Sequence, residues 1–267
     1  MTYKIGICGL GFVGNAIYNT LKEINELDIY VYDLYKNINT QDILLNTDIL
    51  FLCLPTLYDI NLKEYSKKEL ENTLEYLNDN NYTGAVLIKS TIEPTTTNTY
   101  SNKYNKLSLI HNPEFLSART AQEDFKNQSH IILGVSNTCN KNNVDNVINF
   151  YKEYFTDNIS ICESTVAETV KVFCNSFYAI KIQYFTELFL TCNKININYN
   201  DVKELMLKNN WINSMHTNIP GHDNQISYGG MCFPKDTNAL NSFMEKINTP
   251  HGVLNATIEE RNNMRID

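Results

Sequence analysis

The cysteine at position 232 has neighbours that suit a nucleophile. The stretch "YGGMCFPKDTNAL" places Cys232 two residues after a Gly-Gly pair and four residues before Asp236. Glycine allows a ligand to approach the backbone closely, and the nearby Lys235 favours the thiolate, which is the reactive form of cysteine. The stretch alone does not identify what Cys232 would attack, since most intracellular cysteines are small core residues.

A lysine and an asparagine on a predicted long helix are further candidate site residues. The stretch from Glu163 to Lys194 contains neither proline nor glycine, which predicts a helix far longer than average. Lys171 and Asn175 are four residues apart and therefore share one face. Most of the remaining helix surface is apolar, which predicts burial against neighbouring elements or a second subunit. The pattern alone does not decide whether Lys171 is a solvated charge or an ammonium beside a substrate oxygen.

The N-terminal segment carries a dinucleotide-binding fingerprint. The apolar run Tyr3–Cys8 predicts a buried strand, "GLGFVG" follows at once, and residues 12–25 have helical periodicity. A second predicted strand, "DIYVYD", ends in Asp33, about 20 residues beyond the last glycine. The residues predicted to form the cofactor-binding turn are Gly9, Gly11, Phe12, Val13 and Gly14.

Each part of this fingerprint has a physical role. Gly9 permits the tight turn, Gly11 lets the backbone approach a pyrophosphate, and Gly14 lets the helix pack on the strand. Asp33 would accept hydrogen bonds from ribose hydroxyls and repel a 2′-phosphate, so NAD is favoured over NADP. The alternative is a glycine-rich turn of a flavodoxin-like domain that binds no cofactor.

Alternating strands and helices predict an α/β fold with a Rossmann-like, doubly wound parallel sheet over residues 1–162. An all-α domain built on the long central helix is expected over residues 163–267. Further strands are predicted at 48–55, 85–90, 107–112, 130–135 and 158–162, and further helices at 66–80, 140–155, 200–210, 236–247 and 252–264.

Three polar motifs lie where predicted strands end. They are "PT" (Pro55 and Thr56), "STIEP" (90–94) and "NPEFL" (112–116). Each alone is ordinary turn chemistry, but ligands of such sheets bind beyond the carboxyl ends of the strands. Three such motifs in one sheet favour a binding site.

Composition excludes several function classes. The formal net charge of −8 argues against a nucleic-acid surface, because binding to phosphate backbones requires clustered lysine and arginine. The seven scattered cysteines have no metal-ligand spacing, and the chain starts without a signal peptide, which fits a reducing cytoplasm. No stretch approaches the roughly 18 apolar residues of a membrane helix. We therefore expect a soluble, intracellular protein without metal.

The motifs in order resemble the UDP-glucose/GDP-mannose dehydrogenase family of nucleotide-sugar 6-dehydrogenases. They run along nearly the whole chain as "GLGFVG", "LPT", "STIEP", "NPEFL", "AETVKVFCNSFYAIKI" and "GGMCFPKD". The last three in combination are highly specific. The resemblance implies a four-electron oxidation of a sugar 6-hydroxyl to the acid, with two NAD, one water and no release of the aldehyde.

The resemblance also implies roles for individual residues. Cys232 falls on the catalytic cysteine, which forms a thiohemiacetal and then a thioester. Lys171 and Asn175 would donate hydrogen bonds to the sugar C6 oxygen, while Asp236, Thr91 and Glu114 would hold the water and manage protons. Cofactor contacts are implied for Pro55, Thr56, Thr91 and Lys235, and substrate contacts for Glu114, Phe115, Leu116, Ser117, Lys171, Asn175, Tyr228 and Gly229.

Two departures from the family pattern bear on the substrate. Ala118 and Arg119 replace a Glu-Gly pair, so the family's second glutamate is missing. Typical members continue with a third domain that clamps the nucleotide, whereas this chain ends at Asp267. We therefore expect a compact form that binds substrate weakly through the loop 215–230 or a partner. A low-micromolar dissociation constant for UDP-glucose would contradict this expectation.

Two other functions stay open at this stage. A two-electron β-hydroxyacid dehydrogenase of similar architecture would use the helix lysine without needing a cysteine. A catalytically silent NAD-binding module would dimerise and bind no nucleotide sugar. UDP-glucose, oxidised to UDP-glucuronate, is the default substrate, but GDP-mannose and N-acetylated UDP-sugars are not distinguished. The family's long helix commonly forms a dimer interface, so a homodimer is expected.

Overall fold

The computed structural model describes residues 2–266 as two compact units. The first contains the described residues up to Leu57 and those from Tyr65 to Lys171. The second contains Tyr58 to Glu64 and the described residues from Val172 onward. The boundary expected after residue 162 stays a prediction, because units defined by compactness need not coincide with evolutionary domains.

The first unit contains a seven-stranded sheet, which confirms the α/β fold class. The strands are β1 (Tyr3–Cys8), β2 (Leu27–Tyr32), β3 (Ile49–Leu52), β6 (Ala85–Ile88), β7 (Ser108–His111), β8 (Ile131–Val135) and β9 (Ile159–Glu163), and β4 (Tyr58–Asp59) pairs separately with β5 (Glu64–Tyr65). The order in the sheet is β2-β1-β3-β6-β7-β8-β9.

One strand pair departs from the parallel sheet that the sequence predicted. β7 and β8 run antiparallel, with Ile110 opposite Val135, while the other pairs of this sheet are parallel. The sheet is therefore mixed. The apolar runs could not reveal this reversal, because a strand buried on both faces reads as a continuous apolar run in either direction.

Helices cover both faces of the sheet, as a doubly wound fold requires. In β3, Ile49 and Phe51 pack in one apolar cluster with residues of α1 (Phe12–Leu21) and α5 (Lys141–Tyr154), whereas Leu50 and Leu52 pack in another with residues of α2 (Lys68–Asp79). The helix bounds are α1 (Phe12–Leu21), α2 (Lys68–Asp79), α3 (Thr96–Lys103), α4 (Ala121–Lys126), α5 (Lys141–Tyr154), α6 (Ser164–Lys194), α7 (Tyr199–Leu207), α8 (Phe233–Lys246) and α9 (Gly252–Met264). Alternate side chains of one strand thus enter opposite cores.

Two short helices, α3 and α4, and a 3₁₀ helix at Gln41–Asn46 were not predicted. The sequence of α3, "TTNTYSNK", is β-branched and polar and has low helix propensity, so tertiary contacts decide its conformation. Helix α8 begins at Phe233, three residues earlier than predicted, with Pro234 in its first turn. This earlier start makes Cys232 the N-cap residue of α8.

Helix α6 is the long helix that the sequence predicted. In the second unit its residues Phe185 and Cys192 pack with Tyr199 and Ile219 in an apolar cluster. Its outer face carries exposed aromatic side chains, Phe173, Phe177 and Tyr184. Across residues 2–266, the helices lack the combination of length and apolarity that crossing a bilayer demands.

Candidate active site

The glycine turn after β1 has the geometry that a dinucleotide requires. Gly9 has φ of +90°, which a side chain would strain, and a Cβ on Gly14 would overlap the carbonyl oxygen of Gly9. A Cβ on Gly11 would meet no protein atom within 4 Å. The two outer glycines therefore serve the fold, while Gly11 leaves open space at the N-terminus of α1. This space fits a pyrophosphate approaching the backbone.

Asp33 follows β2 and lies against this turn. Its Oδ2 accepts a hydrogen bond from the Leu10 amide at 2.6 Å, and its Oδ1 accepts one from the Lys36 amide at 2.8 Å. The Lys36 ammonium in turn donates to the Leu10 carbonyl oxygen at 2.6 Å. The acidic residue is thus fixed beside the turn, and Lys36 is a cation there that sequence reasoning missed. Of the other predicted turn residues, Phe12 is exposed and Val13 half-buried.

The "PT" and "STIEP" turns lie side by side beyond β3 and β6. The Thr56 hydroxyl donates to the Thr91 carbonyl oxygen at 2.7 Å. The Ser90 hydroxyl donates to the Leu54 carbonyl oxygen at 2.8 Å. Thr56 and Thr91 are buried, whereas Pro55 is exposed. The two motifs therefore form one rim along the carboxyl ends of neighbouring strands.

Lys171 is buried against Glu114 in the first unit. Its ammonium donates to the Glu114 carbonyl oxygen at 2.5 Å and to the Glu114 carboxylate at 3.1 Å. It also lies 5.1 Å from the centroid of the Phe115 ring. A buried ammonium is costly unless it is paired and hydrogen-bonded. Lys171 is therefore a buried ammonium held by specific partners, and the alternative of a solvated charge is wrong.

The rest of the "NPEFL" loop is built around two carboxylates. The other Glu114 oxygen accepts a hydrogen bond from the Leu116 amide at 2.7 Å. The Ser117 amide donates to Asp124 at 2.8 Å. Phe115 and Ser117 are exposed and Leu116 is half-buried. The loop thus presents backbone and apolar surface next to the buried Glu114–Lys171 pair.

In the second unit, Asp236 joins two of the predicted site residues. Its Oδ2 accepts a hydrogen bond from the Asn175 side-chain amide at 2.6 Å, and its Oδ1 forms an ion pair with Lys235 at 2.6 Å. Asp236 is fully buried in the first turn of α8. A carboxylate at this end of a helix is stabilised by the helix dipole.

Cys232 immediately precedes that turn. It is half-buried, and it carries a thiol, as do the other six cysteines. The N-terminus of a helix stabilises negative charge, which suits a thiolate. Just before it, the Tyr228 side chain is 2% exposed, and Gly230 has φ of +78°.

The structure groups the predicted site residues into two sets. The first unit brings Lys171 to Glu114 and Thr56 to Thr91. The second unit brings Asn175 and Lys235 to Asp236, on the helix that follows Cys232. Lys171 and Asn175 lie one turn apart in the continuous helix α6, as their spacing predicted.

Sequence reasoning missed Glu168, which lies one turn before Lys171. The Glu168 carboxylate is fully buried and accepts hydrogen bonds from the amides of Thr95 and Thr97, both at 2.6 Å. Thr95 has φ of +81°, which is rare for a β-branched residue. Burial raises the pKa of Glu168 to about 7. A glutamate in an otherwise apolar helix was the available signal.

Lys89 is a second buried charge that the sequence analysis did not single out. Burial lowers the pKa of Lys89 to about 8. Its ammonium donates to the Asn112 side-chain oxygen at 3.1 Å, which also accepts the Tyr151 hydroxyl at 2.5 Å. Lys89 also borders a cavity of about 260 Å³ beside Glu114. The sequence signal for this buried charge was a lysine placed between a predicted buried strand and the "STIEP" motif.

Two family models match most of the chain. The NAD binding domain of the UDP-glucose/GDP-mannose dehydrogenase family matches residues 32–155, and the central domain of that family matches residues 165–263. This chain therefore belongs to that family of NAD-dependent nucleotide-sugar dehydrogenases, and its cofactor is NAD.

Two of the relatives bear the name UDP-glucose 6-dehydrogenase. UDP-glucose 6-dehydrogenase of Campylobacter jejuni is 27% identical over 96% of this chain and 71% of that protein. The enzyme of the same name from Rickettsia bellii is 32% identical over 68% of this chain, but the match covers only 42% of that protein.

Solved structures show the same fold. A UDP-glucose dehydrogenase from Pyrobaculum islandicum superposes with a TM-score of 0.87 at 19% identity, over 98% of this chain and 68% of that one. 3-Hydroxyisobutyrate dehydrogenase from Mycobacterium tuberculosis superposes with a TM-score of 0.78 at 11% identity, over 98% of this chain and 94% of that one. At these identities the likeness concerns the fold alone.

Proposed function

We propose that this protein oxidises the C6 hydroxyl of a nucleotide sugar to the carboxylate, with two NAD and one water consumed per sugar. UDP-glucose is the proposed substrate and UDP-glucuronate the proposed product, which is a precursor for polysaccharide synthesis. The names of the Campylobacter and Rickettsia relatives support this choice. The scattered thiols support a reducing cytoplasm as its location.

One observation carries the proposal. Four of the six residues assigned to the chemistry pair with one another in buried contacts, Lys171 with Glu114 and Asn175 with Asp236. Burying polar and charged side chains costs free energy, which their pairing has to offset. A chain without this chemistry has no evident use for both pairs.

The cofactor belongs at the turn of Gly9, Gly11 and Gly14, with Asp33 beside it. Bound there, NAD supplies the hydride acceptor for both oxidations. In this proposal Phe12, Val13, Pro55 and Thr56 line the cofactor site, and Thr91 and Lys235 contact it near the reacting carbon.

The residues of the chain divide the remaining chemistry. Lys171 and Asn175 donate hydrogen bonds to the C6 oxygen and stabilise the negative charge that develops there. Loss of a hydride from C6 and of a proton from its hydroxyl gives the aldehyde. The Cys232 sulfur then bonds to the aldehyde carbon while the aldehyde oxygen takes a proton, which gives a thiohemiacetal. Loss of a second hydride from that carbon and of the proton from its oxygen gives a thioester, whose carbonyl carbon is attacked by water; the C–S bond breaks and the thiolate leaves. Asp236 and Glu114, together with Thr91, hold the water, and one of the two carboxylates accepts its proton.

Residues of two loops complete the proposed substrate site. Phe115, Leu116 and Ser117 line it from the "NPEFL" loop. Tyr228 and Gly229 contribute through their backbone, since the Tyr228 side chain is buried. Arg119, which replaces a family glycine, is proposed to affect which nucleotide sugar is accepted.

The test is a stoichiometry. Purified protein is mixed with excess NAD and limiting UDP-glucose, and the NADH formed per sugar consumed is counted. Two NADH per sugar is the expected result. The same mixture with GDP-mannose and with UDP-N-acetyl sugars identifies the substrate if UDP-glucose is not oxidised. No NADH with any of these sugars would contradict the proposed function.

The two-electron alternative is kept because a 3-hydroxyisobutyrate dehydrogenase shares this fold over 94% of its chain. It predicts one NADH per substrate and full activity in Cys232→Ala. The proposal instead predicts that Cys232→Ala stops net oxidation. A catalytically silent module would bind NAD and form no NADH.

A further inference from the structure

The segment just before Cys232 is held by side chains of two other helices. The Ser227 amide donates to the Thr186 hydroxyl at 3.0 Å, and the Ser227 hydroxyl donates to the Gln183 side-chain oxygen at 2.5 Å, both on α6. The Tyr228 hydroxyl lies 3.5 Å from that of Thr237 on α8. Ser227 itself is buried with φ of +60°, so the chain turns sharply here.

Two arginines at the C-terminal end of α9 contact the same segment from another side, Arg261 within the helix and Arg265 as its C-cap residue. Arg261 Nε donates to the Tyr228 carbonyl oxygen at 3.2 Å, and the guanidinium lies 5.9 Å from the Tyr228 ring centroid. Arg265 Nη1 donates to the Ser227 carbonyl oxygen at 3.4 Å. Both arginines are only 6% exposed. Burying a guanidinium costs free energy, so each of these two side chains needs hydrogen bonds such as these to offset the cost.

Gly229 completes the arrangement, because its backbone leaves room for Arg265. A Cβ at this position would overlap the Arg265 guanidinium. On its other side Arg265 Nη2 donates to the Asp223 carboxylate at 2.8 Å. The planar guanidinium is thus held between Asp223 and the Ser227–Gly229 backbone, three residues before Cys232.

We propose that Arg261 and Arg265 are positioning residues for Cys232. They fix the Ser227–Gly229 segment, which through Gly230 and Met231 sets where α8 begins and where the Cys232 thiol lies. The inference rests on the proposed nucleophilic role of Cys232. A nucleophile must approach its carbon to within about 3–3.5 Å, and a misplacement of about 1 Å costs on the order of 100-fold in rate.

The test compares Arg265→Met with the matched control Asn263→Ala, an exposed residue of the same helix. Two rates are measured: alkylation of Cys232 by iodoacetamide, relative to half-buried Cys162 in the same sample, and steady-state NADH formation. For Arg265→Met we expect relative alkylation about threefold faster or more, kcat about 30-fold lower or more, and KM for NAD within about twofold. Arg265→Lys keeps the charge without the planar fork and should show a smaller loss of kcat.

The readouts separate positioning from general destabilisation. A loss of overall stability would accelerate the alkylation of both cysteines together and leave the ratio of their rates unchanged. An unchanged ratio in Arg265→Met would overturn the inference. A kcat of Arg265→Met equal to that of Asn263→Ala would overturn it as well. If Arg265→Met fails to fold, Asp223→Ala removes the acceptor of the Arg265 Nη2 hydrogen bond at a half-exposed side chain and should raise the ratio about twofold; an unchanged ratio there also overturns the inference. Wild-type protein without activity would refute the proposed function, whereas the alkylation ratio needs no turnover.

Discussion

At the scale of single residues, buried charges mark the positions where the chemistry is proposed. Lys171 and Asp236 are almost fully buried, and each is paired with another residue of the proposed site. The desolvation of such groups strengthens their electrostatic interactions with a bound substrate. Substitution of one partner should therefore lower the catalytic rate by more than the accompanying loss of folding stability would explain.

Lys171→Met is expected to lower kcat/KM for the sugar by about 100- to 1,000-fold, because a donor to the developing negative charge is lost. Lys181→Met is the matched control, since Lys181 lies on the same helix and donates hydrogen bonds to the Asn213 carbonyl and side-chain oxygens, away from the proposed site residues. Steady-state kinetics of both variants make the comparison. Equal rates for the two would contradict the proposed role of Lys171.

Cys232→Ser is expected to lower net oxidation by about 1,000-fold or more, because an oxygen nucleophile of high pKa replaces the thiolate. Cys162→Ser, at another half-buried cysteine, should keep the wild-type rate. Mass spectrometry of wild-type protein quenched during turnover should show a sugar adduct on Cys232. An adduct-free Cys232 in a fully active enzyme would exclude the thioester route.

At the scale of elements, the glycines of the turn after β1 have different roles: Gly14 serves folding, whereas Gly11 is proposed to serve cofactor binding. Gly14→Ala should lower the free energy of unfolding by about 2 kcal/mol or more, because its Cβ overlaps the Gly9 carbonyl oxygen. Gly11→Ala meets no protein atom and should keep wild-type stability, yet weaken NAD binding about tenfold by filling the space for the pyrophosphate. Thermal unfolding and NAD titration by calorimetry measure the two effects. Unchanged NAD affinity in Gly11→Ala would place the cofactor elsewhere.

The contact between α6 and the start of α3 should make stability depend on pH. Burial raises the pKa of Glu168 from 4.5 to about 7, so its contribution to stability is fully present below pH 4.5 and is lost as pH rises through 7. This shift corresponds to at most about 3 kcal/mol. Urea unfolding of the wild type and Glu168→Gln between pH 4.5 and 8 should show the wild type losing stability relative to the variant. Parallel pH profiles would show that Glu168 titrates at its ordinary pKa.

At the scale of the whole molecule, we propose a homodimer formed through α6. Its outer face carries Phe173, Phe177 and Tyr184, which are 45–60% exposed in the single chain. Phe177→Glu should shift the molar mass measured by light scattering from two chains to one, because a charge in an apolar interface is costly. Glu187→Lys, at an exposed charge on the same helix, is the control. A wild-type protein of one-chain mass would contradict the proposed dimer.

How much the sequence revealed depended on the range of the interactions involved. The strand–turn–helix of the proposed cofactor site is contained within about 30 residues, and Asp33 lies beside its glycine turn as the sequence predicted. The i,i+4 relation of Lys171 and Asn175 follows from helix geometry alone. The motifs around Glu114, Lys171 and Cys232 indicated the family in combination, because each is a short local stretch that can be recognised in the sequence.

Tertiary structure decided the partners of those residues. Lys171 meets Glu114 across 57 positions, Asn175 meets Asp236 across 61, and Glu168 meets Thr97 across 71. No local pattern encodes such pairings, because they depend on which strand ends and helices the topology brings together. The same reason explains the antiparallel β8 and the helix formed by the polar stretch of α3. Local periodicity determined most of the strands and helices, whereas long-range packing determined the helix α3, the direction of β8 and the contacts of the polar side chains.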